Sequence, residues 1–177
     1  EYAVEVSYRL RRASAWAPAG NEVGWEQAVV EVAGGRPAFA ASAPPEVVRG
    51  IHNIGVRGAH FSALFSRVQG GLVSYRYGMT SDGGRELLKA MPQPNFWHAP
   101  TSNERGWGMP FRDGQWQLAS RHLQLDPDAE NPSVVVRGDS VEVSYRYLLP
   151  TTPQTVCEVD YRVEGSGRIE VTVRAHP

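Results

Sequence analysis

The stretch Ser140-Val141-Glu142-Val143-Ser144-Tyr145-Arg146-Tyr147-Leu148-Leu149 decides the fold. Val141, Val143, Tyr145 and Tyr147 alternate with Glu142, Ser144 and Arg146. Successive side chains of a strand point to opposite faces, so this period of two predicts a strand with one apolar and one polar face. On its C-terminal side Thr155 to Val163 and Arg168 to Arg174 are strand-like too, with Gly165-Ser166-Gly167 as the turn between them. On its N-terminal side Ser133 to Arg137 reads as a strand that turns at Gly138-Asp139. Arg137-Gly138-Asp139-Ser140 resembles a cell-adhesion tripeptide, but Gly-Asp between two β-rich runs is ordinary hairpin chemistry, and the turn is the preferred reading.

Working outward, Ile51 to Val56 and Ala59 to Ser66 flank the turn Arg57-Gly58. Val68 to Gly71 turns into the alternation Leu72, Ser74, Arg76 against Val73, Tyr75, Tyr77, and Ser81-Asp82-Gly83-Gly84 turns into Glu86 to Leu88. At the start, Tyr2, Val4, Val6, Tyr8 and Leu10 alternate with Ala3, Glu5, Ser7 and Arg9. An irregular stretch from Ser14 to Gly24 separates them from a second strand at about Glu26 to Val32. Many short strands with frequent turn signals predict an all-β, antiparallel sandwich. Residues 37–45, PAFAASAPP, read as a linker and domain boundary. Residues 91–112 hold Pro92, Pro94, Pro100 and Pro110 and read as a long irregular loop, a kind of segment that is usually functional or disordered. Its aromatic residues Phe96, Trp97, Trp107 and Phe111 favour function. One short helix is predicted after it, capped by Asp113, with Trp116, Ala119, Ser120 and Leu123 roughly on one face.

The 177 residues are 41% hydrophobic and 21% charged, which argues against disorder, collagen and coiled coil. No apolar run approaches the roughly 18 residues that mark a membrane helix. Eighteen basic residues, all arginine except Lys89, oppose nineteen acidic ones. That balance gives no electrostatic reason to expect nucleic acid or a membrane as partner. The lone Cys157 allows no internal disulfide and no Cys-based zinc site, and it is compatible with a reducing, cytoplasmic setting. The strand patterns reach both ends of the chain, which leads us to expect a piece of a longer polypeptide.

Motifs for phosphate loops, zinc proteases and serine hydrolases are missing from the sequence. His52 and His60 could face each other across a hairpin, although plain polar strand positions are the simpler reading. Paired carboxylates for glycoside hydrolysis cannot be picked out by spacing. Trp16, Trp97 and Trp107 lie in loop-like segments. Such indoles can stack on a sugar, or they can anchor loops to the core.

Two of these loops, and a segment between them, carry a resemblance. Trp16-Ala17-Pro18-Ala19-Gly20-Asn21-Glu22-Val23-Gly24-Trp25-Glu26-Gln27 resembles the W-x-x-A-G-H-E-V-A-W-E-Q stretch of large multi-domain bacterial β-galactosidases, of glycoside hydrolase family 2 type. Phe65 to Leu72 is similar to their F-x-x-x-x-G-x-L. Asn95-Phe96-Trp97-His98-Ala99-Pro100-Thr101-Ser102-Asn103-Glu104-Arg105-Gly106 is similar to their N-F-W-R-A-P-T-D-N-D-x-G. The three occur in the family's order along nearly the whole chain.

The resemblance implies that residues 1–43 are the C-terminal strands of an Ig-like domain. It implies that residues 46–177 are the N-terminal part of the small-chain domain, a mutarotase-like supersandwich. The catalytic glutamates of such a retaining β-galactosidase lie on a barrel upstream of Glu1, and its magnesium and sodium ligands lie upstream too. No catalytic residue, metal ligand or cofactor is therefore expected in this chain, and alone it should be inactive. Its expected partners are that barrel, a terminal β-galactoside and further copies of the full enzyme. In the family a mobile loop near the substrate pocket follows the A-P-T-D-N-D run. By residue match this makes Asn103, Gly106, Trp107 and Gly108 the candidate substrate-binding loop, with the glycines suited to a hinge. The sequence departs from the family pattern where His98 replaces Arg and Ser102 replaces Asp. The family's substrate-stacking tryptophan falls beyond Pro177. Two other functions compete: a freestanding carbohydrate-binding β-sandwich module, and a purely structural or partner-binding sandwich.

Overall fold

A computed structural model describes residues 2–31, 43–78 and 83–176. It is dominated by antiparallel strands, as expected for an all-β sandwich. The chain divides into two compact units, the first containing the two N-terminal strands and the second the rest. The end of the second strand at Val32, most of the linker 37–45 and half of the turn at Ser81-Asp82 lie outside the described residues.

The first unit is a two-stranded ribbon of β1 (Tyr2–Arg9) and β2 (Glu22–Val30), in register from Tyr2 opposite Val30 to Tyr8 opposite Gly24. Strand β2 starts earlier than its apolar pattern suggests, because the cross-strand pairing continues to Glu22 opposite Arg9. Glu22 there accepts hydrogen bonds from Ser7 and Arg9. The loop closes through Leu10 N–H to Asn21 O (2.9 Å) and Gly20 N–H to Leu10 O (2.8 Å).

The second unit holds two sheets. One is a meander of β3 (Glu46–Arg49), β4 (Asn53–Arg57), β5 (Phe61–Ser66), β6 (Gly71–Tyr77) and β7 (Arg85–Glu86). Between the sheets in sequence come three short helices, α1 (Ser102–Gly106), α2 (Met109–Arg112) and α3 (Gln115–Arg121). The other sheet comprises β8 (Gln124–Leu125), β9 (Ser133–Arg137), β10 (Ser140–Leu149), β11 (Thr155–Glu164) and β12 (Ile169–His176). Strand β10 pairs with β11 on one side and with β8 and β9 on the other, and β12 flanks β11.

The apolar faces of these two sheets form one core. Ile54, Val56, Phe61, Ala63 and Phe65 come from the meander, and Val141, Val143, Tyr145, Tyr147, Val159, Tyr161 and Val163 from the other sheet. The Phe65 ring meets Tyr161 edge-on at 5.3 Å, a favoured aromatic geometry. Buried phenols need acceptors. The Tyr145 hydroxyl donates to Ser66 O across the sheets (3.0 Å), and the Tyr147 hydroxyl donates to Gly70 O. Gly70 has φ +71, and a Cβ there would lie 2.7 Å from Leu125, so glycine answers both backbone and space.

Three details differ from the sequence reading. Among the described residues there are three short helices rather than one, and two of them lie in the stretch 91–112 read as irregular. Asp113 does not cap α3. It is the C-cap of α2, its N–H bonded to Met109 O, and Gly114 precedes α3 instead. His52 and His60 sit in the turns at opposite ends of β4 and do not face each other.

Candidate functional site

The loop between β7 and β8 is anchored at both ends. Phe96 N–H donates to Ser120 Oγ (2.7 Å), and the Phe96 ring packs on Trp116 at 5.9 Å. Helix α3 is in turn fixed by the buried Ala119 and by Thr152 N–H donating to Gln115 Oε1. Asn95 Oδ1 accepts from Trp97 N–H (3.2 Å), which bends the chain toward His98.

From there a local network builds α1. Thr101 is its N-cap in a capping box: Glu104 N–H donates to Thr101 Oγ1, and Glu104 Oε2 accepts from Thr101 N–H (2.7 Å) and from the Thr101 hydroxyl (2.9 Å). These hydrogen bonds hold the Glu104 carboxyl below the usual carboxylate range, with the nearby His98 adding to the effect. His98 Nε2 lies 3.2 Å from Glu104 Oε1, and His98 Nδ1 lies 3.0 Å from Ala99 O. The His98 departure from the family pattern thus has a partner, found not at Ser102 but at Glu104.

Of the four candidate loop residues, Asn103 lies in α1 and its carbonyl accepts from Trp107 N–H (3.2 Å). Gly106 is the last residue of α1, with open space where a Cβ would be. Gly108 alone of the pair is left-handed, at φ +84, and this reverses the chain into α2, where Pro110 occupies the first turn. Trp107 is 51% exposed, and its ring carries the Arg112 guanidinium at 5.7 Å. Next to it Phe111 is 95% exposed. The structure brings Asn103, Gly106, Trp107 and Gly108 into one continuous turn. Phe111, one of the aromatic residues that mark the loop in the sequence, belongs to the same constellation, as do Thr101, Glu104 and Arg112, which sequence reasoning did not single out. The Thr101-x-x-Glu104 spacing was the signal that could have found Thr101 and Glu104. Trp16 is also exposed, whereas Trp97 is half-buried.

A shallow groove of about 620 Å³ lies elsewhere, on the outer face of β9 to β12. Its carboxylates are taken by arginines: Glu142 by Arg137 (2.6 Å) and Asp160 by Arg174 (2.6 Å). Beside it Arg146 bridges Asp126 (2.8 Å) and Glu158 (2.9 Å). Among the described residues no group of three or more His, Cys, Asp or Glu side chains could hold a metal ion. No helix among them is long and apolar enough to cross a membrane.

Fold and loop together define a class, an antiparallel β-sandwich with a capped, helix-bearing aromatic loop inserted between its two sheets. Residues 57–177 match the family model of the beta galactosidase small chain, and the chain belongs to that family. It is similar to a β-galactosidase of Streptococcus thermophilus, 37% identical over 97% of this chain and 16% of that relative. A β-galactosidase of Clostridium acetobutylicum is 34% identical over 98% of this chain and 18% of its own length. A β-galactosidase small subunit of Latilactobacillus sakei is 34% identical over 73% of this chain and 44% of its own length. The chain thus spans under a fifth of the first two relatives.

Proposed function

We propose that this chain is a non-catalytic segment of a retaining β-galactosidase of glycoside hydrolase family 2 type. Residues 1–43 close an Ig-like domain, and residues 46–177 open the small-chain supersandwich. The observation that carries this reading is the match of 97% of the chain to only 16% of a β-galactosidase. Two uncovered apolar faces support it. One face of the β1–β2 ribbon presents Tyr2, Val4, Val6 and Tyr8 with Ala28 and Val30. On β12, Val171 and Val173 are 51% and 52% exposed although they stand beside the buried Tyr161 and Val159. An apolar sheet face is stable when a second layer covers it, and a longer polypeptide supplies that layer.

In this reading the two catalytic glutamates lie on a barrel outside these residues, and the magnesium and sodium ligands lie upstream as well. The α1–α2 turn forms part of the wall of the β-galactoside pocket, with Asn103, Gly106, Trp107 and Gly108 as contacts and the half-exposed indole facing the sugar. The partners are the barrel, the galactoside and further copies of the full enzyme, in the cytoplasm. The test removes the matching segment from the Streptococcus thermophilus enzyme and adds this chain, mixed or fused, with nitrophenyl β-galactoside as substrate. We expect no hydrolysis by either part alone and restored turnover with both, with Trp107→Ala raising KM. Turnover by this chain alone, or no restoration in either format, overturns the reading.

The exposed Trp16 and Trp107 favour a second reading, a freestanding carbohydrate-binding module. It requires a saturable change in tryptophan fluorescence with galactose or lactose, and a flat titration removes it.

A further inference from the structure

Both ring nitrogens of His98 face oxygens that have no proton to give. Nδ1 is 3.0 Å from the Ala99 carbonyl, and Nε2 is 3.2 Å from Oε1 of Glu104. A neutral imidazole carries one N–H and one lone pair. It can donate to the carbonyl or to the carboxylate, but its second nitrogen then sets a lone pair against an acceptor. Only the imidazolium donates to both. An arginine, the residue the family pattern has here, stays charged at every accessible pH.

We propose that His98 is a proton-dependent positioning residue for the turn that carries Asn103 and Trp107. Protonated, it ties Ala99 to Glu104 and steadies the capping box at the start of α1. Neutral, it keeps only one of the two contacts. With the proton on Nδ1 it holds Ala99 and leaves the carboxylate to Thr101, and with the proton on Nε2 it holds Glu104 and lets go of Ala99, so the tie between the two is lost either way. The coupling to the turn is short: Arg105 N–H bonds Thr101 O (3.0 Å), and Trp107 N–H bonds Asn103 O, so a looser cap is felt within one helical turn. Glu104 is the charged group of α1 that contacts the ring. Arg105, next along the helix, is exposed, and Arg112 stacks on Trp107. The ring is 61% exposed, so the substitutions below leave the core untouched. The functional weight of the switch rests on the pocket-loop reading above, but its existence does not.

The experiment follows the backbone amides of Thr101, Glu104 and Trp107 by NMR in this 177-residue chain from pH 5.5 to 8, with the His98 ring signals recorded alongside. Parallel series use His98→Arg and His98→Gln. In the unsubstituted chain the three amides should shift together with the ring, and their hydrogen exchange, corrected for its intrinsic pH dependence, should lose about two- to fivefold in protection as the ring deprotonates, the modest scale of an exposed ion pair. His98→Arg should keep the low-pH protection throughout, and His98→Gln should show the high-pH behaviour throughout. Amides that stay still while the ring titrates overturn the proposal. So does a His98→Arg series with the original pH profile. No galactoside or catalytic barrel is needed, so failed rescue of a truncated enzyme leaves this result standing, and the reverse also holds.

Discussion

Strands β1 and β10 are written in nearly the same pattern and end in opposite environments. Tyr2, Val4, Val6 and Tyr8 alternate with polar residues, as do Val141, Val143, Tyr145 and Tyr147. Each strand is paired antiparallel along its length. The first four side chains are 46–66% exposed and the second four at most 2%. The difference is a second layer. The apolar face of β10 meets Ile54, Val56 and Phe65 across the sandwich, whereas among the described residues β1 and β2 form a sheet of two strands. A period of two tells which side chains share a face; it does not say what will cover that face.

The sharpest way to break the comparison is to truncate one tyrosine in each strand. Tyr145→Ala should cost about 3–5 kcal/mol, the usual range for an aromatic removed from a core, read by urea denaturation of the chain. Tyr8→Ala should stay within about 0.5 kcal/mol, as exposed substitutions do. A large loss at Tyr8 would mean that the ribbon face is covered in solution. In the longer polypeptide proposed above, we expect Tyr8→Ala to become costly as well.

Next in size is Cys157, fully buried opposite Tyr147. Cys157→Ser introduces a hydroxyl into that core and should cost about 1–3 kcal/mol. Burial also pushes the Cys157 thiol up, and Glu158 adds to the shift. The thiol should therefore resist a disulfide reagent until denaturant opens the sandwich, and rapid labelling of the native chain would contradict the packing. Tyr145→Phe keeps the ring and removes only the hydroxyl that reaches Ser66 O. About 1 kcal/mol is expected, the net worth of one hydrogen bond, measured by the same denaturation.

The smallest effect lies at the edge of the meander. Hydrogen bonds from the Ser74 hydroxyl, Tyr75 N–H and Leu88 N–H, with Arg76 nearby, hold the Glu86 carboxyl at about 2. An unfolded glutamate titrates near about 4.3. A depressed carboxyl stabilises the fold above the unfolded value, and that contribution fades as pH falls from about 4.3 toward 2. Acid should therefore loosen β7 first, seen as faster exchange at Leu87 N–H, which bonds Tyr75 O. Glu86→Gln should remove most of that pH dependence.

Where local and tertiary forces agreed, the elements were legible in advance. The expected spans of β9 and β10 coincide with the observed ones, and those of β11 and β12 fall within a residue or two, since alternation, turn glycines and burial all point the same way. Strand β3 was missed because Glu46-Val47-Val48-Arg49 is short and follows an Ala/Pro-rich run, and its edge position is set by pairing with β4. Helices α1 and α2 bury no residue, so they leave no apolar period to read. The motif that resembles the β-galactosidases picked out Asn103, Gly106, Trp107 and Gly108 by residue match. It could not give the contact of His98 with Glu104, because that depends on how α1 folds back over the preceding turn.

By itself, the sequence determined that the chain is built of antiparallel strands, which side chains share each face, and where the turns fall. These follow from backbone sterics and from the two-residue period of a strand, which act within a few residues. Tertiary structure alone decided which apolar faces are buried, that Tyr145 and Tyr147 tie one sheet to backbone carbonyls of the other, and that both nitrogens of His98 point at acceptors. Burial and hydrogen-bond satisfaction depend on groups distant in the chain, here 79 residues apart for Tyr145 and Ser66, and no local pattern encodes them.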